Sequence, residues 1–455
     1  MRRYERWLAL ALLFSAFWTA GVAAQEGAGG PAVEVASDRL PNGLEIYVYE
    51  DHTAPVVSVN VWYRVGSRDE PIGRRGMAHL LEHMMFKGSK RVGPEEHARI
   101  IEQVGGEMNA FTSTDVTVYW DKVPAPYLEL VLELEAERMA NLVLTEAHLQ
   151  TEREVVKEEF RVGLENSPLN LAFERFQAVA LAGTPYAWTP HGFLEELDAI
   201  TVQDLETFYR TYYVPNNAVL VVAGDTDLAT VRRLAEKHFG PIPPGPVPER
   251  PPVALQPAGE TQRETLAIPL QLPVLVGGYL IPGLRSPDME ALQAAGLILS
   301  GGESARMHRS LVREQQLALA AVGVAQQYED AGLFLLAALY LPPVEAGQVA
   351  EALVAEVERL AAGVGEQELQ RVKNQLVASY VFSLDTLDGV ANAIGSAVVL
   401  EGGLEKFTRG LEPYFALTPD DIVRVARTYL TRDRLTLVEV VPEPVPVAEE
   451  GGAGR

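Results

Sequence analysis

Short apolar runs alternate with longer amphipathic stretches from residue 44 onward. Alternating apolar and polar positions predict strands over residues 44–51, 56–66 and 115–123. Apolar positions spaced by three and four residues predict helices over 127–142 and 145–161. These elements do not form a regular series of strand–helix–strand units. The pattern therefore predicts an α+β fold class rather than a parallel α/β sheet.

A proline-rich segment interrupts this pattern near the middle of the chain. It begins with Pro241-Ile-Pro-Pro-Gly-Pro-Val-Pro248, and its composition predicts a semi-rigid linker over residues 241–265. The linker divides the chain into a first domain over residues 34–240 and a second over residues 266–445. Residues 446–455 are expected to form a flexible tail. A length of 455 residues agrees with two domains.

The two halves end in similar sequences, which indicates an internal duplication. Residues 200–212, Ile-Thr-Val-Gln-Asp-Leu-Glu-Thr-Phe-Tyr-Arg-Thr-Tyr, match residues 417–429, Leu-Thr-Pro-Asp-Asp-Ile-Val-Arg-Val-Ala-Arg-Thr-Tyr. Thr201 and Thr418 are good N-cap residues for the helices that follow, and an apolar run that predicts a strand follows each helix. We therefore expect two similar domains.

The N-terminus has the features of a secretory signal peptide. Three arginines among the first six residues precede an apolar run to Ala20, and small residues offer a cleavage site after Ala24. Residues 1–24 are therefore expected to direct the chain to the periplasm or otherwise out of the cytoplasm. The alternative is an N-terminal membrane anchor, because the apolar stretch approaches the roughly 20 residues that span a bilayer.

The composition excludes several classes of protein. The chain has 38 Lys and Arg against 62 Asp and Glu, a net charge of -24, so it is not expected to bind nucleic acid or an anionic membrane surface. It contains no Cys, which excludes disulfides, thiol nucleophiles and thiolate metal ligands. A bound metal ion would therefore be held by His and carboxylate side chains.

A candidate metal motif lies in the apolar stretch from residue 76 to residue 86. His79-Leu-Leu-Glu82-His83 puts two imidazoles four residues apart on one face of a helix, with Glu82 on the adjoining edge. The alternative is a pair of hydrogen-bonded core histidines. Burying two imidazoles and a carboxylate without a strong partner costs several kcal/mol, so the pattern favours a metal site.

Two His leave a catalytic zinc ion one protein ligand short. In the acidic helix over residues 151–161, helical phase places Glu152 and Glu159 on one stripe with three apolar side chains. The stripe's apolar members are Val155, Val156 and Phe160, and the opposite, predicted solvated face carries Arg153, Glu154, Lys157, Glu158 and Arg161. Phase alone leaves the choice of ligand open, because an acidic helix supplies a carboxylate at nearly any spacing.

These residues resemble a known motif. His79-x-x-Glu82-His83, followed by Glu152-x-x-Val-Val-x-Glu-Glu159, resembles the inverted zinc motif of the pitrilysin/insulinase metallopeptidases, which include the mitochondrial processing peptidases. Further similar segments extend the resemblance over nearly all of residues 34–445: residues 40–44, 66–70, 105–112, 115–119 and 211–216. The resemblance implies an exported bacterial zinc metallopeptidase with two homologous α/β-sandwich domains.

The resemblance also implies roles for the site residues. His79, His83 and Glu159 would bind one Zn²⁺ per chain, Glu82 would be the general base, and Glu152 would orient a ligand.

In the resembling family, an open edge strand binds the substrate backbone by β-augmentation. Here that strand contains Asn109, Ala110 and Phe111, which are therefore candidate substrate contacts. From the sequence alone, Asn109 is equally well a turn residue after the preceding glycine pair.

The second half lacks the zinc motif. Two alignments of the halves put apolar or small residues at the motif positions: Leu292, Ala295 and Gly296, and Val372 and Ser379. We therefore expect an inactive homologous domain that closes a chamber over the first.

The second half departs from the family pattern at one position, and this departure bears on whether the chain needs a partner subunit. Family members that cut peptides carry an Arg and, seven residues later, a Tyr in the second half. Arg313 fits the Arg and is a candidate substrate contact, but Ala320 replaces the Tyr. We therefore expect a zinc-bearing subunit of a heterodimer whose second subunit supplies the Arg and Tyr. The alternatives are that Tyr328 replaces the Tyr, a self-sufficient homodimeric peptidase, or a non-catalytic scaffold subunit.

Overall fold

The computed structural model describes residues 34–165, 167–257, 259–268 and 272–442. The predicted signal peptide over residues 1–24 and the predicted tail over 446–455 lie outside the described residues. Within them, no helix is both long enough and apolar enough to cross a membrane.

Strands and helices alternate irregularly, as the α+β prediction requires. The strands are Ala36–Arg39 (β1), Glu45–Glu50 (β2), Val56–Tyr63 (β3), Glu107–Thr112 (β4), Thr117–Pro124 (β5), Ala218–Gly224 (β6), Gln262–Ile268 (β7), Val274–Pro282 (β8), Ala320–Gln327 (β9), Ala331–Leu339 (β10) and Thr436–Pro442 (β11). The α-helices are Met77–Met84 (α1), Glu96–Gln103 (α2), Leu128–Asn141 (α3), Glu146–Phe160 (α4), Pro168–Ala180 (α5), Leu194–Ala199 (α6), Val202–Tyr212 (α7), Leu228–His238 (α8), Met289–Ser300 (α9), Ala346–Ala362 (α10), Glu366–Ser383 (α11), Leu387–Val399 (α12), Leu404–Arg409 (α13), Glu412–Ala416 (α14) and Pro419–Tyr429 (α15). The three predicted strands and two predicted helices of the first half are confirmed, as β2, β3, β5, α3 and α4.

The strands form two sheets with corresponding orders. The first sheet has the order β1-β2-β6-β3-β5-β4, and the second has the order β7-β11-β8-β10-β9. In the first sheet only β2 and β6 are parallel, and in the second only β7 and β11 are parallel. When β1 is left out, the sheets match strand for strand. The predicted duplication of an α+β domain is therefore confirmed.

The repeated segments have the same local structure in both halves. The Thr201 hydroxyl accepts a hydrogen bond from the Asp204 amide, and the Asp204 carboxylate accepts one from the Thr201 amide. Thr418 and Asp421 form the same capping box at the start of α15. Both predicted N-caps are confirmed.

The two halves exchange one helix each. Helices α1, α3, α7 and α8 cover one face of the first sheet. The other face is covered by α12 from the second half, where Ile394 packs with Trp62 and Val221. Reciprocally, α5 from the first half covers the second sheet, where Phe176 packs with Val438. Each exchanged helix buries apolar surface that neither half would bury alone.

The proline-rich segment is held against both halves. The Arg250 guanidinium lies 2.7 Å from an Asp69 carboxylate oxygen and 2.6 Å from one of Glu329. Val253 and Leu255 pack against the cluster around α5. Strand β7 begins at Gln262, inside the range predicted as linker.

The turn between β9 and β10 docks onto the first half through a charge cluster. The Arg68 side chain is only 2% exposed, and its guanidinium lies 3.0 Å from Asp115, 3.3 Å from Glu329 and 2.6 Å from Asp330. The Tyr186 hydroxyl donates to Asp115 at 2.8 Å, and the Glu329 amide donates to the same carboxylate at 2.9 Å. We call these five residues the interdomain charge cluster.

Candidate metal centre and active site

Helix α1 starts at a fixed point in the core. Its N-cap, Gly76, has a φ of 93°, which favours glycine. The Glu70 carboxylate accepts hydrogen bonds from the Gly76 amide at 2.9 Å and the Ala78 amide at 2.8 Å. These bonds satisfy two donors at the helix start and suit the positive end of the helix dipole. The first turn, which carries His79, is therefore held in position.

The structure brings His79, His83 and Glu159 together. The Glu159 Oε2 atom lies 3.9 Å from His79 Nε2 and 3.3 Å from His83 Nε2. One ligand atom from each residue lies within 4.8 Å of the other two. Glu159 belongs to the last turn of α4, which packs on α1. Two imidazoles and a carboxylate around one point form a ligand set that suits a catalytic zinc ion.

Glu152 lies behind His83, away from Glu159. Its Oε2 atom is 3.4 Å from His83 Nδ1, and its Oε1 atom is 3.0 Å from Lys87 Nζ. Burial opposes ionisation, but the hydrogen bonds from His83 and Lys87 keep the pKa of Glu152 below its usual range. An ionised Glu152 fixes the orientation and tautomer of the His83 ring, leaving Nε2 directed at Glu159.

The two imidazoles have opposite electrostatic environments. Burial lowers the pKa of His83, but hydrogen bonds to Glu152 and Glu159 outweigh burial and raise it to about 9. Burial and the neighbouring imidazoles hold the pKa of His79 well below its usual range. Within the described residues, the buried Nδ1 atom of His79 has no hydrogen-bond partner. A metal ion entering this site would therefore displace a proton from His83.

Glu82 lies beside this group and is not part of it. Its side chain is buried, and its carboxylate accepts a hydrogen bond of 2.5 Å from the Thr112 hydroxyl. Burial raises the pKa of Glu82, while the Thr112 bond and His83 oppose the rise. A carboxylate with a raised pKa next to a ligand cluster has the properties of a general base.

Strand β4 forms an edge of the first sheet, and successive side chains point to opposite faces. Ala110 and Thr112 face α1, and Thr112 contacts Glu82. Asn109 and Phe111 are exposed on the other face, where Phe111 packs edge-to-face on Trp62. The structure therefore does not bring the Asn109 or Phe111 side chain to the His79 group.

Two predicted contacts from the second half lie outside the His79 group. The Arg313 side chain is 58% exposed and pairs with Glu303. Tyr328, the alternative to the missing Tyr, is buried and its ring centroid lies 5.0 Å from that of Tyr186. Its hydroxyl accepts a hydrogen bond from Gln326, so Tyr328 is not accessible to a substrate in this conformation.

The prediction that one face of α4 is exposed to solvent is wrong for two residues of that face, Arg153 and Lys157. Arg153 donates to the Leu197 carbonyl at 3.0 Å, and Lys157 is buried and pairs with Asp198. Helix α6 covers this face, whereas Val155, predicted to point inward, is 39% exposed. The periodicity of α4 does not reveal a short helix that packs against it from about 40 residues away in sequence.

Sequence reasoning missed three polar residues of the site: Thr112, Lys87 and His191. Thr112 is the last residue of the segment 105–112, which resembles the family, and Lys87 follows His83 by four residues. Both residues therefore had a local signal in the sequence. His191 had none, because it is more than 100 residues from His79 in sequence. Its ring centroid nevertheless lies 5.4 Å from that of His79.

A second His and carboxylate group lies in the core of the first half. His97 Nε2 is 3.1 Å from Asp121 and 3.8 Å from Glu135. The Arg138 guanidinium pairs directly with Glu135 and is 4% exposed. Because the protein supplies a cation here, a metal ion beside Arg138 is unfavourable. Burial also raises the pKa of Glu135 to about 7, which reduces the negative charge.

This buried group predicts a pH effect on stability. Burial and Arg138 lower the pKa of His97 to about 4, whereas an unfolded His has a pKa near 6.5. Neutral His97 therefore contributes stability that is lost as pH falls from about 6.5 toward about 4. The Gln variant has no imidazole to protonate and does not undergo this loss. The decrease in the free energy of unfolding caused by His97→Gln should therefore be about 2 to 3 kcal/mol smaller at pH about 4.5 than at pH 7. Urea unfolding of both metal-free proteins at the two pH values measures the difference, and an equal cost at both would contradict the assignment.

The comparisons with known proteins agree with this geometry. The profile described as Insulinase (Peptidase family M16) matches residues 46–189, and Peptidase M16 inactive domain matches residues 199–376. The chain is 33% identical over 408 residues to the zinc protease PqqE of Helicobacter pylori, covering 89% of this chain and 92% of that protein. It is 28% identical over 420 residues to the mitochondrial-processing peptidase subunit beta of Lentinula edodes, covering 88% of each chain.

A solved structure gives the same result. The crystal structure of a protease from Helicobacter pylori superposes with a TM-score of 0.85 at 32% identity, over 90% of this chain and 100% of that one. The second profile, named for an inactive domain, extends to residue 376 and so includes much of the half in which the zinc motif is missing. The chain therefore belongs to the insulinase family of peptidases, M16.

Proposed function

We propose that this protein is an exported zinc metalloendopeptidase that hydrolyses peptides or unfolded polypeptide segments inside a clamp-like chamber. The observation that carries the proposal is the meeting of His79, His83 and Glu159 beside an unligated, buried Glu82. Zinc proteases among the relatives support it. A scaffold subunit would have no need to keep both the ligand set and the base.

The residues present fit a zinc ion. The donor set is two imidazoles and one carboxylate, and Glu152 fixes the ring of one imidazole. When bound, zinc supplies a Lewis acid that polarises the peptide carbonyl and makes water a stronger nucleophile at neutral pH.

Glu82 takes a proton from the attacking water and delivers it to the leaving amine. Its carboxylate is held by Thr112, whose hydroxyl donates to Oε2, while Oε1 has no hydrogen-bond partner in the described part of the chain and would accept the water. Burial raises the pKa of Glu82 and makes it a better base than an exposed Glu.

The free edge of β4 would bind the substrate as an added strand. Among the described residues no strand pairs with β4 on the side away from β5, although the Ala110 amide donates to the Asn109 side chain at 2.9 Å and would have to exchange this bond for one to the substrate; Thr112 at the end of the strand is in contact with Glu82. Backbone pairing by Asn109, Ala110 and Phe111 requires an extended peptide. The site would therefore accept unfolded segments and exclude folded ones.

A metal prediction tests the ligand set. The purified protein should contain one zinc ion per chain, and a chelator should abolish turnover of a fluorogenic peptide until zinc is returned. His97→Gln should keep the zinc, because the second His group is neutralised by Arg138. Metal analysis by mass spectrometry measures the ratio. Two ions per chain, or loss of zinc in His97→Gln, would contradict the assignment.

A second subunit is expected to complete the site, because Ala320 offers no hydrogen-bond donor where the resembling peptidases carry a Tyr. A relative is by name a subunit of a mitochondrial processing peptidase. Turnover per zinc should rise by at least about tenfold when a related chain with the Arg and Tyr is added. The measurement compares peptide turnover per zinc ion for the purified chain alone and for its mixture with the second chain. Vigorous, equal turnover by this chain alone would favour the homodimeric or self-sufficient alternative.

A further inference from the structure

A third imidazole, His191, borders the proposed zinc site. It lies between α5 and α6, and its ring meets the His79 ring edge-on, with centroids 5.4 Å apart. His191 is not one of the three residues whose ligand atoms cluster. Among the described residues, neither ring nitrogen has a hydrogen-bond partner, and neither is sealed from solvent. The ring is therefore partly buried, and its N–H donor makes no hydrogen bond within the described residues.

The backbone around His191 is pressed against the start of α1. Gly192 has a φ of 65°, and a Cβ atom there would lie 2.3 Å from the Arg75 carbonyl and the Gly76 amide nitrogen. A Cβ atom on Gly76 would lie 3.0 Å from the His191 carbonyl oxygen. Two glycines thus permit a close approach that side chains would prevent.

The same carboxylate that anchors α1 also anchors this loop. Glu70, which accepts from the amides of Gly76 and Ala78, accepts from Trp188 Nε1 at 3.1 Å as well. The Arg75 guanidinium lies 3.9 Å from the centroid of the Phe193 ring. His191 is therefore fixed relative to His79 by bonds on both sides of it in sequence.

Three roles are available to a histidine in this position. A structural core histidine would have its nitrogens bonded within the fold, and those of His191 are not. A fourth protein ligand would occupy the coordination position that a catalytic zinc site leaves open. A hydrogen-bond donor beside the metal would instead stabilise the oxyanion that develops on the peptide carbonyl.

We propose that His191 is a catalytic residue that donates a ring N–H to the oxyanion of the scissile carbonyl. The inference rests on the proposed peptidase function. It does not depend on the charge of the ring, because neutral and protonated imidazoles both carry an N–H donor. The chain would then contribute one oxyanion donor of its own, whichever partner it binds.

His191→Ala should lower kcat by about 10²- to 10³-fold, the usual effect of losing one oxyanion donor, with little change in KM. Zinc content should stay at the wild-type ratio. Affinity for a phosphinic peptide, which imitates the tetrahedral oxyanion, should fall by a similar factor. Binding of an uncleaved peptide, measured in the Glu82→Gln background, should change less than about threefold, because the ground-state carbonyl needs the donor less.

Two further variants sharpen the test. His191→Gln keeps a side-chain N–H and should recover part of the lost kcat, whereas His52→Ala, an exposed histidine paired with Asp225, should match the wild type. Loss of zinc in both His191→Ala and His191→Gln, or equal loss of phosphinic and uncleaved peptide binding, would overturn the proposal. So would undiminished turnover by His191→Ala. If the wild type itself shows no Glu82-dependent turnover, the proposed function fails instead.

Discussion

Glu82→Gln should keep one zinc ion per chain and lose peptide turnover by about 10²- to 10⁴-fold. The substitution removes the proton acceptor but leaves His79, His83 and Glu159 in place. Gln also preserves an acceptor for the Thr112 hydroxyl, so the local packing should survive. Turnover of a fluorogenic peptide and zinc content are measured on the same preparation. Near wild-type turnover by this variant would make the proposed mechanism wrong.

His79→Ala is the matched counterpart of Glu82→Gln. It should lose both zinc and activity, because it removes one of three ligands in a site where no further ligand atom from the described residues joins the group. Glu159→Gln should behave in the same way. If His79→Ala kept zinc at the wild-type ratio while Glu82→Gln lost it, the ligand and base assignments would be reversed.

The fold class and the zinc motif were predictable because their signals are local. Strand alternation and helix periodicity located β2, β3, β5, α3 and α4. His79 and His83 share a helical face by spacing alone. The duplicated segments were recognisable because Thr201 and Thr418 begin the same capping box in both halves.

Features that depend on contacts distant in sequence were not predictable. The exchange of α5 and α12 between the halves leaves no periodic signal, because an exchanged helix has the same apolar stripe as any other. His191 meets His79 only through the folding of the loop before α6. The burial of Lys157 likewise depends on Asp198, which lies on another helix.

The side-chain direction of Asn109 illustrates a further limit. The sequence identifies the strand and its residues, but a shift of one position reverses which side chains face the metal group. Here Thr112 contacts Glu82, whereas Asn109 is on the opposite face. The register of β4 against β5, Asn109 with Trp120, decides this direction.

Arg68→Met should lower the free energy of unfolding by about 3 to 5 kcal/mol, the usual cost of removing one partner from a buried ion pair. Its guanidinium, 2% exposed, is shared by Asp115, Glu329 and Asp330 of the interdomain charge cluster. Met fills much of the same volume but leaves Asp115 and Asp330 without the cation they pair with, whereas Glu329 keeps Arg250. Urea unfolding followed by two probes measures the change and checks that both halves still unfold together.

Arg409→Met is the matched control for Arg68→Met, because its ion pair with Glu412 is exposed and should contribute less than about 1 kcal/mol. Glu329→Gln should destabilise the wild type but do so by less in the Arg68→Met background, where the Glu329 carboxylate already lacks one cation. The difference between these two costs is the coupling energy, expected to be about 1 to 3 kcal/mol. A coupling of zero, or a loss in Arg68→Met no greater than in Arg409→Met, would mean that apolar packing of α5 and α12 alone holds the two halves together.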